Sequence, residues 1–155
     1  MKDSQPSRVV PSPSAPFRIM LLDDDIFLLE MLDDMLRTLG QGDIVTEADS
    51  RRALLTLRDA QPQLLICDLS MPELDGIEFL HLAAGIGYRG GLVLLSGMDE
   101  AIRRTAERLA MAHGLRVLGA YQKPMTEANL LEVLARAGGA SAIDGSAVLV
   151  PGAAS

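Results

Sequence analysis

The sequence predicts an α/β protein built on a five-stranded parallel sheet with helices on both faces, a doubly wound (βα)5 arrangement, and three observations carry that reading. Short, nearly continuous apolar runs recur along the chain, with amphipathic stretches of helical period between them. The runs are apolar throughout rather than alternating, as befits strands covered on both faces. Several of them end in an acid, a hydroxyl or a lysine, as strands do when their last residues emerge at one functional edge.

The elements follow in order. Residues 17–23 read as a strand containing Ile19-Met20-Leu21-Leu22. A helix over 26–39 has Ile26, Leu29, Leu32, Leu36 and Leu39 on one stripe and Glu30, Asp33, Asp34 and Arg37 off it, and Gly40 stops it. A strand at 43–48 follows. Ser50 is the expected cap of a helix running to Ala60, with Ala53, Leu54 and Leu57 inward, and Pro62 prevents its continuation. Leu64–Asp68 is the third strand. A Pro/Gly loop leads to a helix at 77–84, and glycines 85, 87, 90 and 91 make the next connection. Leu92–Leu95 forms a strand ending at Ser96-Gly97. Asp99 is placed to cap a helix over 100–112, with Ile102, Ala106 and Leu109 expected inward. Residues 116–121 are a weaker strand that leads to Lys123-Pro124. Thr126 is placed to cap a last helix to Ala137, with Leu130, Leu131 and Leu134 inward.

Composition bounds the rest. A length of 155 residues with 48% apolar content suits one domain with a sizeable core. The stretch 1–16 holds four of the eight prolines among serines and reads as a flexible leader, which leaves 17–137 as the folded domain. Residues 138–155, rich in Gly, Ala and Ser, read as a tail or interdomain linker. A net charge of −7 argues against direct nucleic-acid binding, and 3% aromatics without Trp offer no stacking platform. Cys67 is the only cysteine, so no internal disulfide forms; its place in an apolar run makes it a small core residue. There is no apolar segment of signal-peptide length and no run near the ~20 residues of a membrane span. The expectation is a cytoplasmic protein without membrane contact.

The chemistry gathers at the strand ends. Asp23-Asp24-Asp25 follow the first strand, Asp68 ends the third, Ser96 the fourth, and Lys123 follows the fifth. Carboxylates crowded at adjoining edges repel and call for a cation, and Mg2+ takes oxygen ligands of this kind. A hydroxyl and an ammonium opposite would meet anionic oxygens, so the set suits a phosphoryl group attached to, or arriving at, an aspartate.

These residues resemble the signature of receiver domains of two-component response regulators, the CheY-like family. The matching segments are Asp23-Asp24 after Ile19–Leu22, Asp68 within Ile66-Cys67-Asp68-Leu69-Ser70-Met71-Pro72, then Asp75-Gly76, Ser96-Gly97 and Lys123-Pro124. The resemblance implies a flavodoxin-like strand order 2-1-3-4-5. It implies that Asp68 is the phosphoacceptor, taking a phosphoryl group from a sensor histidine kinase, a phosphotransfer protein or a small donor. Asp23, Asp24 and Asp68, with the backbone carbonyl of Ser70, would hold Mg2+, while Ser96 and Lys123 would contact the phosphoryl oxygens. A cis Lys123-Pro124 bond is part of the same pattern. Phosphorylation would switch the 96–137 face to control a partner or an effector domain, with homodimerisation through the 99–137 face as one output. Such a domain is regulatory, catalysing only its own phosphorylation and dephosphorylation.

The chain departs from the pattern in places. Ala120 stands where many receivers carry an aromatic three residues before the lysine, and the aromatic here is Tyr121. Met125 replaces a common Phe. The interval from Ser96 to Lys123 is long, with the extra residues around Met111–Leu118, which is similar to receivers attached to cyclic-di-GMP phosphodiesterase domains.

Blander readings stand beside the sharp ones. Asp25 reads as a helix-leading acid and Asp75 as a turn organiser. His81 and His113 show no ligand-like spacing, so surface or structural roles are expected rather than zinc. Two other functions compete with the leading one. A metal-dependent phosphatase with an aspartyl-phosphate intermediate would want an acid two residues past the nucleophile, where Ser70 stands. A receiver-like binding module that is never phosphorylated is opposed by the presence of every chemical residue.

Overall fold

A computed structural model describes residues 17–73, 75–97 and 99–138. The leader expected over 1–16 and the tail expected from 138 onward lie outside these residues, apart from Gly138 itself. Five strands alternate with five helices: β1 Arg18–Leu22, α1 Ile26–Thr38, β2 Asp43–Glu47, α2 Ala53–Ala60, β3 Leu64–Asp68, α3 Gly76–Gly85, β4 Gly91–Ser96, α4 Glu100–Ala112, β5 Arg116–Gln122 and α5 Glu127–Ala137. All neighbouring strands pair in parallel, in the order β2-β1-β3-β4-β5. That is the flavodoxin-like order, and no described helix is long and apolar enough to cross a membrane.

The order explains the burial. Strands β3 and β4 lie inside the sheet and are buried along their whole length, whereas the edge strands β2 and β5 are largely half-buried. Alternate side chains of the sheet feed two cores. Met20, Leu22, Leu65, Cys67, Leu92 and Leu94 pack beneath α2, α3 and α4. Ile19, Leu21, Leu64, Ile66, Val93 and Leu95 pack beneath α1 and α5. Every strand therefore delivers its C-terminal end to the same edge of the molecule.

Local chemistry sets where the helices begin. Asp25 accepts hydrogen bonds from the amides of Phe27 and Leu28, Asp75 from those of Ile77 and Glu78, and Asp99 from that of Ile102. Thr126 and Asn129 exchange hydrogen bonds in a reciprocal cap on α5. The second helix departs from expectation. Asp49, not Ser50, does the capping, and it opens a single 3-10 turn over Ser50–Arg52 before α2 starts at Ala53. A 3-10 entry of this sort is common at a helix N-terminus.

Three helices turn different residues inward from those the periodicity suggests. In α4, Ala106 and Ala110 are buried, while Ile102 is 46% exposed and Leu109 faces outward as well. In α5, Leu131 is exposed and Val133 takes the inward place beside Leu130 and Leu134. Ile26, one residue past the cap of α1, is exposed, and the buried stripe is Leu29, Leu32 and Leu36. In α4 the inward place of Ala106 is kept and small Ala110 replaces Leu109.

The pairing of β4 with β5 slips by one residue. Leu92 lies opposite Val117 and Val93 opposite Gly119, so Leu118 is an extra residue in a β-bulge. This falls within the stretch where the sequence is long. Gly119 makes room there for the Tyr121 ring, which a Cβ at that position would meet at 2.9 Å.

Candidate phosphoryl-acceptor site

Asp23, Asp24 and Asp68 are brought together by the adjacency of β1 and β3 at the sheet's centre. One carboxylate oxygen from each lies within 4.8 Å of the other two. Asp23 and Asp68 are each only 1% exposed, while Asp24 is exposed. Two short turns hold the buried pair in place. The Asp25 amide donates to Asp23 Oδ1 at 2.9 Å, and the Ser70 amide donates to Asp68 Oδ1 at 3.0 Å.

Lys123 enters from the end of β5. Its backbone amide donates to the Ser96 carbonyl at 3.0 Å, which fastens the β5 exit to the end of β4, and its bond to Pro124 is cis. Its ammonium donates to Asp68 Oδ2 at 3.2 Å and lies 3.1 Å from Asp23 Oδ2. Asp23 Oδ2 gains charge contact there but no hydrogen bond, and it stands as a buried oxygen without a hydrogen-bond partner. Paired with the Lys123 ammonium alone, this oxygen keeps capacity for a further cation.

Electrostatics sharpen the point. Burial pushes the Asp23 carboxyl above its ordinary value; the Asp68 charge adds to this, while the Asp25 amide and the Lys123 ammonium oppose it. Burial on its own would lower the Lys123 ammonium, but its short contacts with the Asp23 and Asp68 carboxylates outweigh it and hold it above its ordinary value. Two carboxylates and one ammonium leave a net negative pocket, with Asp24 adding a third acid at its mouth. Buried Asp23 and Asp68 at short range, an orphaned oxygen and an all-oxygen donor set together fit a hard divalent cation such as Mg2+.

Of the remaining sequence candidates, Ser96 is fully buried at the last position of β4, one residue past the Leu95 that pairs with Asp68. Ser70 is exposed in the loop after β3. Asp25 and Asp75 serve as helix caps. Cys67 is buried, and burial raises its thiol well above the ordinary range, so it stays protonated and unreactive. Ala120 packs on the α4 side of the sheet and Tyr121 on the α1/α5 side, where its hydroxyl donates to Glu132 at 2.7 Å. One residue along a strand reverses the face, so no aromatic points toward α4 from this end of β5.

Sequence reasoning gave no hint of a groove of about 430 Å3 beside Asp24, lined among others by Asp49, Arg51, Met71 and Glu73. The 3-10 turn before α2 carries Arg51 to this groove. Glu73 holds a left-handed φ of 63°, unusual for a non-glycine residue. The only advance signal was Asp49, whose capping role went unread.

The parallel sheet in the order β2-β1-β3-β4-β5 carries an acid cluster at its carboxyl edge, and comparison with known proteins identifies the family. The family model of the response regulator receiver domain matches residues 19–135, and the chain belongs to that family. It is 28% identical over 119 residues to the cyclic di-GMP phosphodiesterase RocR of Pseudomonas aeruginosa, covering 76% of this chain and 30% of that protein. It is 40% identical over 62 residues to the DNA-binding response regulator MtrA of Mycobacterium tuberculosis, covering 39% of this chain and 26% of the relative. This chain thus spans less than a third of either protein. A response regulator from Colwellia psychrerythraea superposes with a TM-score of 0.67 at 28% identity, over 80% of this chain and 98% of that one. The chemotaxis protein CheY4 of Vibrio cholerae gives 0.66 at 25% identity, over 79% and 99%. The matched family is one of response regulators.

Proposed function

We propose that this chain is a phosphorylation-switched receiver of a two-component system, with Asp68 as phosphoacceptor and 17–137 as the working unit. The observation that carries the reading is a nearly inaccessible Asp68 flanked by a second buried acid and gripped by Lys123. A carboxylate at the carboxyl edge of a central strand, fixed by the Ser70 amide and the Lys123 ammonium, is placed as a nucleophile.

In the proposed reaction an Asp68 oxygen attacks phosphorus in a phosphohistidine of a sensor kinase or phosphotransfer protein. The P–N bond breaks, its electron pair returns to the imidazole, and an aspartyl phosphate remains. Mg2+, when bound, supplies positive charge against the phosphoryl oxygens. Asp23, Asp24, Asp68 and the Ser70 carbonyl would hold it. The Lys123 ammonium is already at Asp68 and can follow the new phosphoryl group, as a compact point charge does. Ser96 at the end of β4 would donate to a phosphoryl oxygen. Closing that contact would draw on the β4–α4 connection and alter the 96–137 face.

The same reading makes the protein cytoplasmic and its output a partner, an effector domain or a homodimer through the 99–137 face. Neither aspartyl-phosphate hydrolase activity nor a role as a silent binding module gains support from the geometry. The test is Mg2+-dependent binding of beryllofluoride, an aspartyl-phosphate mimic, read by amide chemical shifts. Saturable shifts centred on Asp68, Ser96 and Lys123 are expected, and Asp68→Asn should abolish them. Equal responses from the variant and the wild type would sink the assignment.

A further inference from the structure

His81 and His113 are far apart in the sequence, on different helices, yet their imidazole rings meet at the surface. The ring centroids are 4.8 Å apart and the planes cross at 61°. His81 lies in the body of α3, and His113 is the residue that ends α4. Both side chains are exposed.

This spacing is one that a single transition-metal ion can bridge. Zinc–nitrogen bonds of about 2.0–2.1 Å at right or tetrahedral angles place two coordinated ring centroids roughly 4.5–5.2 Å apart. The observed separation lies inside that span, so a modest ring rotation would aim one nitrogen of each ring at a shared point. The backbone is already fixed. The His113 amide donates to the carbonyls of Leu109 and Ala110, and Gly114 follows with a left-handed φ of 88° that ends the helix. His113 also stands at the carboxyl end of a 13-residue helix, where the unpaired carbonyls and the helix dipole favour a cation. A net charge of −7 draws cations to the molecule as a whole.

We propose that His81 and His113 form a two-histidine site for a borderline divalent transition metal, of the Zn2+, Ni2+ or Cu2+ type, that ties α3 to α4. Imidazole pairs select these ions over Mg2+, which prefers oxygen. Among the described residues, the acid cluster of Asp23, Asp24 and Asp68 is the one group of three or more metal-binding side chains. The histidine site therefore has two protein ligands and leaves its other positions to water or to a group from a docking partner. The clamp has a mechanical consequence. α4 buries only Ala106 and Ala110, so an external link to α3 would brace a helix that is lightly held.

The test uses the full chain at near-neutral pH, in excess Mg2+ so that the oxygen-donor cluster is occupied. Ni2+ or Zn2+ should raise the thermal midpoint by several degrees, and calorimetry should give one site. His81→Gln and His113→Gln each leave an exposed polar side chain on a folded protein, and each should weaken that binding by about tenfold or more. With Cu2+, electron spin echo spectroscopy should report two equatorial imidazoles in the wild type and one in either variant. Unchanged metal affinity in the double variant, or a single-imidazole copper signal in the wild type, would overturn the proposal. Neither result bears on Asp68, so the site and the phosphorylation reading fail separately.

Discussion

Tyr121 shows how one residue's displacement along a strand changes what it can do. Placed two residues before Lys123 rather than three, it packs on the α1/α5 side and gives its hydroxyl to Glu132. Burial, and then the hydrogen bond and charge of Glu132, push that phenol up to about 12 from an ordinary value near 10. Tyr88, the chain's other tyrosine, is held up in the same direction by burial, with its hydroxyl on the Gly91 carbonyl. Below about pH 10 a tyrosine is neutral in both the folded and unfolded states and contributes nothing to the pH dependence. Above that value the unfolded chain gives up protons that the native fold keeps, so stability falls as pH rises from 10 through the Tyr121 value of about 12. A spectrophotometric titration should accordingly find little phenolate in the native protein at pH 10 and about half in the urea-unfolded chain. Tyr121→Phe should flatten the alkaline loss of stability. A native protein whose tyrosines are half ionised at pH 10 would refute both placements. That Ala120 lacks an aromatic was plain in the sequence; where Tyr121 would turn instead was not, because the face depends on the register of β5.

At the scale of elements, α4 departs furthest from its sequence pattern. Its spacing suggests an inward stripe of Ile102, Ala106 and Leu109; Ala106 is buried as expected, but Ala110 joins it and the larger Ile102 and Leu109 face out. Periodicity finds a stripe but cannot choose between a bulky one and a small one a fraction of a turn away. Enlarging the inward face should therefore hurt. Ala106→Leu should cost about 1–3 kcal/mol through overpacking, whereas Ile102→Gln should change stability by no more than about 0.5 kcal/mol. Urea unfolding of the two variants checks this, and a larger loss from Ile102→Gln would restore the stripe that periodicity suggests. Elsewhere local signals were strong enough to read. Asp25, Asp75, Asp99 and Thr126 cap the helices they precede, and apolar runs too uniform for an open face became the two fully buried strands. The site was legible for the same reason, since it consists of strand-end residues whose positions follow from strand order. The Leu118 bulge, the Arg51 groove and the meeting of His81 with His113 depend on how helices lie against the sheet, and no spacing along the chain encodes that.

For the molecule as a whole, the site works against the fold that carries it. The sheet delivers Asp23 and Asp68 to one dry edge, where their mutual repulsion and the orphaned Asp23 oxygen are only partly relieved by Lys123. On the proposed reading, a cation in the pocket would relieve the repulsion that Lys123 leaves. Asp23→Asn removes one charge and retains an oxygen for the Asp25 amide, so in chelator it should stabilise the domain by about 0.5–2 kcal/mol, as relief of a strained functional site commonly does. On the same reading Mg2+ binds the folded state alone, and it should then raise wild-type stability by about 2.7 kcal/mol at a hundred times its dissociation constant. The variant, short of one ligand, should gain much less. The order of stability would thus narrow or invert between chelator and excess Mg2+. Denaturant unfolding of both proteins in both conditions measures the four values directly. If Asp23→Asn is the less stable protein in chelator, repulsion is not what the buried pair stores. If both proteins gain equally from Mg2+, Asp23 is not among its ligands.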